Sequence, residues 1–467
     1  MSSRLLIDKL DELVAPKRHK KGNINDVLPF AANDSKNMLK GDFKSVVGEF
    51  TRQVSNQKIE NDQDPLLLKD SAENYGDSIV KKMTTDVTSS NERDKYDLER
   101  LLGKMLFDGD QDVQVIHPHI FKYYPLSSGK RSGLEKKISK FLTDVLVQEQ
   151  AGHFSEVFGK EHGNEDLLIS MVLEHLDELK ETYFAKRYQN ILPEVSKLFV
   201  EDFIYISQYR DFFLEHFQTL LQHYYFLYVS QLTFKFEKLE QASYTEISPL
   251  YYTLDWESLN KRRSAFDGFY NFKKLRERTS STFVHIHAQS QLSHNWMNPE
   301  LNFMTYTELN NKLNEMDDES RNEFITELND WLKIYSEKMG LEAPEKQSSL
   351  HDAYKKLFEL LQQGMSTEVC TNYGKLIEDA AYGRFLKTRG SLGYTLNITQ
   401  DFLLLLTAIA VKDQKRIPLK QLFKEFEKRG VALDRYSRQE VIDQLDSLNI
   451  IEKKSDSGDA QYVKAIL

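Results

Sequence analysis

Cysteine is almost absent from this chain of 467 residues, which contains one cysteine, 10 prolines and three tryptophans. Because Cys370 has no second cysteine to pair with, an intramolecular disulfide is excluded, which is typical of a reducing compartment such as the cytoplasm. The first residues have no apolar core before their charges, so we predict no export signal. Residues 217–234 come closest to a membrane span, but their glutamine, histidine and tyrosine content predicts a buried helix instead.

A nucleotide-binding motif is missing as well. A phosphate-binding loop needs glycine, four residues, and then Gly-Lys followed by serine or threonine, so that backbone amides surround the phosphates and the hydroxyl binds magnesium. The nearest segment, SSGKRS at 127–132, has Tyr124 where the first glycine belongs and Arg131 where the hydroxyl is required. We therefore expect no nucleotide motor, and no cofactor.

Two sequence patterns contain possible metal ligands, but neither is strong evidence for a metal site. In FVHIHAQSQLSHNW, His285 and His287 would point to one side of a strand and could share a metal with His294, but clustered histidines more often serve hydrogen bonds. The Glu-x-Lys pattern at 452–454 suits a metal-dependent nuclease, which needs several converging carboxylates. A charged strand face explains that pattern better, so we predict no metal site and no catalytic residue.

Negative charge predominates, with 72 acidic against 62 basic residues and a formal net charge of -10. Because the averaged field repels phosphates, nucleic-acid binding would need a local basic patch. The best candidate is LNKRRSAFDGFYNFKKLRERTSS at 259–281. This segment contains seven basic and two acidic residues, and its aromatic side chains could stack on bases. The candidate DNA-binding residues are Lys261, Arg262, Arg263, Lys273, Lys274, Arg276 and Arg278. The alternative is an amphipathic helix pair with its aromatic residues in the core and its cations in solvent.

Helical spacing dominates the rest of the sequence. Apolar residues at steps of three and four recur beyond residue 95, and the aromatic-rich stretch at 203–236 predicts a core helix. We predict a mainly α, multi-domain fold in three segments. These are an N-terminal helix with a polar, partly mobile region (1–95), a helical body (96–390), and a winged-helix-like α+β module (391–467).

The C-terminal module has the element order of a winged helix. An apolar helix at 401–411 precedes a short strand, a helix that Pro418 opens and Gly430 closes, a third helix and a hairpin. The segment SRQE predicts a capping box with Ser437 as the N-cap. We expect the module to fold as a unit. Its residues 397–467 contain twelve basic and eleven acidic residues, and this near-neutral charge favours protein docking over DNA reading.

Three C-terminal stretches resemble one protein family: RGSLGYTLNITQDFLLLLTAIAV at 389–411, LFKEFEKRGV at 422–431 and SDSGDAQYVKAI at 455–466. They are similar to the DptG (DndG) family of DNA phosphorothioation-dependent restriction proteins, as are HKKGN at 19–23 and VLPF at 27–30. The resemblance implies a cytoplasmic bacterial defence component that acts with two partner proteins, one of them a translocase-type ATPase, against DNA without the host's phosphorothioate mark. It implies no active-site residue.

These observations predict a subunit without catalytic activity in a phosphorothioate-sensing restriction complex. It would bridge partner proteins, and DNA through the local basic patch, and would not be a membrane protein. Two alternatives stay open. One is a nuclease without a recognisable motif, and the other is a winged-helix transcription regulator, which should bind a duplex sequence without partners.

Overall fold

The computed structural model describes residues 4–16, 18–31, 34, 43–59, 79–85, 87, 91–107, 114–147, 150–160, 166–258, 271–453 and 461–467. Much of the predicted polar, partly mobile region and the turn of the C-terminal hairpin lie outside these residues. The protein is mainly α-helical, as predicted.

Helices occur along the whole described chain. They are α1 (Ile7–Leu13), α2 (Lys44–Val54), α3 (Ile79–Thr85), α4 (Glu92–Leu106), α5 (Lys130–Leu142), α6 (Ala151–Val157), α7 (Leu167–His175), α8 (Pro193–Ser207), α9 (Arg210–Glu237), α10 (Phe272–Leu292), α11 (Tyr306–Asn314), α12 (Asp318–Met339), α13 (Leu350–Gly364), α14 (Thr367–Asp379), α15 (Gln400–Val411), α16 (Leu419–Lys428) and α17 (Arg435–Ser447).

The strands are short. They are β1 (Val14–Ala15), β2 (Arg18–His19), β3 (Gln57–Lys58), β4 (Lys180–Glu181), β5 (Leu250–Leu254), β6 (Leu386–Thr388), β7 (Tyr394–Ile398), β8 (Arg416–Pro418), β9 (Val431–Leu433), β10 (Ile451–Lys453) and β11 (Gln461–Lys464). The larger sheet has the order β6-β7-β5-β9, with β5 parallel to both β7 and β9. A second, antiparallel sheet has the order β10-β11-β8.

The chain divides into two compact units. The first comprises Met1–Gly41, Arg187–Leu198 and Gln222–Leu467, and the second comprises Asp42–Lys186 and Phe199–Leu221. Since each unit collects separate stretches of sequence, its core depends on contacts between residues far apart in the chain. The three segments predicted from composition, 1–95, 96–390 and 391–467, stay predictions.

The first unit has a core made by helices α10 to α13 and the N-terminal segment. Leu5, Leu10 and Val14 of that segment are buried against the same cluster as Trp331 and Tyr354. Burying large apolar side chains is the main stabilising contribution here, at about 2 kcal/mol for each. The N-terminal segment is therefore part of the folded core of this unit.

The second unit has a core of stacked phenylalanine rings. The centroids of Phe154 and Phe203 lie 3.9 Å apart with nearly parallel planes, and those of Phe213 and Phe217 lie 4.9 Å apart. Phe50 joins this cluster from α2. Aromatic pairs of this kind add about 1 kcal/mol each beyond their buried area.

The aromatic stretch at 203–236 is helical and largely buried, as predicted, but it is divided between the end of α8 and α9. The residues predicted to form its buried face are each 0% exposed, and they are Phe213, Phe217, Leu220, Leu221, Tyr224 and Tyr228. No helix among the described residues is long and apolar enough to cross a membrane. The prediction that residues 217–234 form a buried helix is confirmed.

The C-terminal elements occur in the predicted order: α15, β8, α16, α17, β10 and β11, with β8, β10 and β11 paired in one sheet. The winged-helix assignment itself stays a prediction. One pairing was not expected, because β9 leaves this group of elements to pair with β5, which lies about 180 residues upstream. The Leu250 N–H also donates to the Gly430 carbonyl, 2.9 Å away.

The predicted capping box at Ser437 is wrong. Helix α17 begins one turn earlier, and the Asp434 carboxylate is its N-cap, accepting from the backbone N–H groups of Tyr436 and Ser437. The Ser437 hydroxyl instead donates to the buried carboxylate of Glu257, 2.8 Å away. Both aspartate and serine are good N-cap residues. Here Asp434 caps the helix, while the Ser437 hydroxyl is a hydrogen-bond donor to Glu257.

Candidate nucleic-acid interface

Helix α10 carries the four described residues of the predicted basic patch, and its start follows from the local sequence. The Asn271 side chain accepts a hydrogen bond from the backbone N–H three residues later, 3.0 Å away, and so caps the helix. Phe272 and Leu275 are buried, whereas Lys273 and Arg276 are exposed. The first turns of α10 therefore present cations to solvent and bury apolar side chains.

Two of the four cations have acidic partners on neighbouring helices. Arg276 Nε lies 3.4 Å from a Glu378 carboxylate oxygen, and Arg278 Nε lies 2.6 Å from one of Glu237. The Arg278 guanidinium also lies 5.7 Å from the centroid of the Phe234 ring. These contacts anchor α10 to its neighbours, so Arg278 in particular is held for packing and is less available to a phosphate than the sequence suggests.

The two lysines differ from the arginines. Lys273 is exposed and Lys274 is half-buried. Neither forms an ion pair with any residue in the part of the chain that the structure describes. Lysine ammonium groups on the first turns of a helix can reach a phosphate without breaking an internal contact. They are therefore the best described candidates for phosphate contacts.

Tyr382 lies close enough to Arg276 to feel its charge, and Tyr394 contacts Tyr382. The rings of Tyr382 and Tyr394 meet edge to face with centroids 5.5 Å apart, and 39% of Tyr394 is exposed. Burial raises the pKa of the Tyr382 hydroxyl, Tyr394 and Glu378 raise it further, and the nearby positive charge of Arg276 opposes this shift. We call Lys273, Lys274, Arg276, Tyr382 and Tyr394 the basic-aromatic face.

The structure describes only part of the predicted basic patch. Lys261, Arg262 and Arg263 lie outside the described residues, as do the aromatic residues at 266, 269 and 270. Phe272 is 1% exposed and belongs to the core, as the alternative interpretation of the patch required. Sequence reasoning missed Tyr382 and Tyr394, because an isolated tyrosine beside a glycine gives no signal that separates a surface ring from a core ring.

His285 and His287 lie on helix α10 and not on the strand that would let them share a metal. His285 and His287 are two residues apart on α10 and point in different directions. His285 Nδ1 lies 3.2 Å from the Tyr306 hydroxyl, and the centroids of the His287 and His19 rings are 6.3 Å apart. Burial lowers the pKa of both α10 histidines to about 3, so they are neutral at pH 7.

His294 completes the histidine cluster at the C-terminal end of α10. Its Nδ1 lies 2.7 Å from the Ser290 carbonyl, and burial lowers its pKa. Over the described residues, no group of three or more His, Cys, Asp or Glu side chains is arranged to hold a metal ion.

The carboxylates near the Glu-x-Lys pattern are engaged by cations of their own surroundings. Glu452 pairs with Arg416, whose hydrogen bond lowers the pKa of the Glu452 carboxyl. Asp446 pairs with Lys453 at 2.7 Å. Residue 454 lies outside the described part of the chain. The two described carboxylates, Glu452 and Asp446, therefore form ion pairs between neighbouring C-terminal elements and do not converge on a metal site.

Comparison with protein-family models gives no match for this chain, and comparison with curated proteins gives no significant match.

Proposed function

We propose that this protein is a cytoplasmic subunit without catalytic activity in a phosphorothioate-sensing DNA restriction complex. In this proposal it bridges the partner proteins, among them a translocase-type ATPase, and contacts DNA through the basic-aromatic face. The DptG resemblance of the C-terminal stretches supports the choice of system. The observation that carries the DNA contact is the pair Lys273 and Lys274 on the first turn of α10, which have no acidic partner among the described residues.

Physical chemistry explains why such a face matters in this chain. With a formal net charge of -10, the protein as a whole repels DNA. A cluster of cations creates a local field of the opposite sign, and each phosphate that it neutralises releases counterions. Exposed tyrosine rings can stack on an unpaired base without sequence preference. We therefore expect contact with the DNA backbone and little base reading.

Reversing the two lysines tests the DNA contact. The variant Lys273→Glu/Lys274→Glu should weaken association with a labelled 30-base-pair duplex and flatten the dependence of log K on log salt by about 2, roughly one for each lost phosphate contact. Fluorescence anisotropy over a series of KCl concentrations measures both quantities. The weakening should be the same for duplexes of unrelated sequence.

The control variant is Lys333→Glu/Lys355→Glu, which makes the same charge change on two other helices. Both lysines are exposed, and neither has an ion pair within the described residues. This control should keep the wild-type salt slope. An unchanged slope for the α10 variant, or an equal loss in the control, would show that α10 does not contact phosphates.

Transformation of the native host tests the restriction system. Deleting the gene should raise the transformation efficiency of plasmid that lacks phosphorothioate, and should leave modified plasmid unaffected. The wild-type gene and the control variant should restore restriction, whereas the α10 variant should not. Restriction that persists after deletion would rule out the proposed system and leave the DNA measurement standing.

The winged-helix regulator remains a second candidate because β8, α16, α17, β10 and β11 follow one another in the order typical of that motif. A regulator should bind one duplex sequence far more tightly than others, and the same anisotropy measurement over unrelated sequences separates the two candidates.

A further inference from the structure

A groove of about 780 Å³ opens in the first unit between the first turns of α16 and α17 and strand β11. Its floor is apolar, since Phe423 and Leu433 are buried and Ile442 is half-buried. Tyr251 and Tyr462 form parts of its wall. A groove of this size with an apolar floor has the dimensions of a ligand or peptide site.

Two cations stand at the rim of this groove. Lys420 and Arg435 are both exposed, and neither has an ion pair with a residue that the structure describes. Five other cations in the C-terminal elements and their connections have acidic partners, in the pairs Arg416–Glu452, Lys428–Glu425, Arg429–Glu425, Arg438–Glu427 and Lys453–Asp446. The positive charge at the rim is therefore available to a partner.

We propose that this groove binds an acidic peptide segment of a partner protein. An aromatic or large aliphatic side chain of the segment would cover Phe423 and Leu433, and two of its carboxylates would pair with Lys420 and Arg435. The proposal rests on the proposed function as a bridging subunit, and it assigns one docking surface and its chemistry.

The surroundings of the groove favour a peptide over duplex DNA. Arg438 donates to the Leu433 carbonyl at 3.0 Å and pairs with Glu427 at 2.7 Å, so it is held against its own fold. Glu440 and Asp443 lie farther along α17, and Asp443 is exposed. Carboxylates along this helix would repel the two phosphate backbones of a duplex, whereas a short peptide need only contact the rim.

Peptide binding to the full chain tests the proposal. The probe is the fluorescein-labelled peptide DEFDEL, with KKFKKL and DEADEA as comparison peptides, and fluorescence anisotropy measures affinity. We expect DEFDEL to bind, KKFKKL not to bind, and DEADEA to bind more weakly because it lacks the apolar anchors. Lys420→Glu/Arg435→Glu should weaken DEFDEL binding about tenfold, since two exposed ion pairs become repulsive.

Two further variants keep the result interpretable. Ile442→Asn removes apolar surface from the floor without a charge change and should also weaken DEFDEL binding, whereas the control Lys333→Glu/Lys355→Glu should not. Melting curves check that each variant is folded. Equal binding of DEFDEL to the wild type and the rim variant, or no binding to the wild type, would overturn the proposal.

Measuring DNA binding by the same rim variant distinguishes a peptide site from a nucleic-acid site. If the rim variant loses affinity for the 30-base-pair duplex instead of the peptide, the groove is a nucleic-acid surface and the proposal fails. The proposed function is judged separately, on the α10 lysines and on plasmid restriction, so failure of the groove leaves those results unaffected.

Discussion

Replacing Gly374 by alanine is expected to destabilise the folded protein by about 2 kcal/mol, although alanine is the stronger helix former. Gly374 lies in α14 where this helix crosses α10. A Cβ atom at this position would lie 2.8 Å from the backbone nitrogen of Ser280 and 2.9 Å from the carbonyl carbon of Thr279. Because the obstacles include backbone atoms, the two helices must separate to admit even one methyl group. Denaturant unfolding measures the loss.

The matched control is Gly133→Ala in α5. A Cβ atom there would meet nothing within 4 Å, so this substitution should stabilise its helix by up to about 1 kcal/mol. Gly374→Leu, which adds three more carbon atoms, should leave little soluble protein. If Gly374→Ala were as stable as the wild type, α10 and α14 would not pack as closely as described here.

The Gly374 contact also has a functional consequence. The crossing of α10 and α14 places Arg276 beside Glu378. Lys273 lies one turn before Arg276, on the same side of α10. Forcing the helices apart should therefore weaken DNA association as well as stability. Comparing Gly374→Ala with the α10 lysine variant separates a loss of packing from a loss of charge, because only the lysine variant should remain as stable as the wild type.

The sequence predicts those parts of the fold that local patterns determine. Residues 203–236 and the apolar stretch at 401–411 contain so many apolar residues that burial strongly favours core helices. Helices are present at both, as α8 and α9 for the first stretch and α15 for the second. The helix that Pro418 opens and Gly430 closes is also present, because proline and glycine act on the backbone of their own turn.

Contacts between distant residues could not be predicted. The pattern SRQE satisfies the capping rule at Ser437, but Glu257 takes the serine hydroxyl from 180 residues away. His285 and His287 fit a strand or a helix equally well, and the packing of α10 decides for the helix. At the candidate site the lysines were found because charge is visible in sequence, whereas Glu378 and Glu237 could not be assigned to Arg276 and Arg278.

The isolated fragment 391–467 is expected to remain unfolded, contrary to the prediction that these residues fold as a unit. Strand β5 lies between β7 and β9 and pairs with both, in the registers Thr253↔Asn397 and Leu250↔Val431. A fragment without β5 leaves the buried strands β7 and β9 without a common neighbour. Small domains are stable by only about 5 to 15 kcal/mol in total, so the loss of a central strand should abolish folding.

The same upstream segment also completes the start of α17. The Glu257 carboxylate accepts from the Ser437 hydroxyl and from the Leu254 backbone N–H, 3.0 Å away. Without residues 250–257, the Ser437 hydroxyl loses its buried partner Glu257, and a lost hydrogen bond of this kind costs about 1 kcal/mol or more.

Joining residues 247–258 to the N-terminus of 391–467 through a flexible glycine-serine linker should restore a cooperative transition. Circular dichroism melting and the dispersion of amide NMR signals measure folding in both chains. A linked chain in which Tyr252 is replaced by proline is the matched control, because proline cannot donate a ladder hydrogen bond at the centre of β5. A cooperative transition in the unlinked fragment would show that β5 is dispensable, and the C-terminal residues would then form the independent module that their sequence suggests.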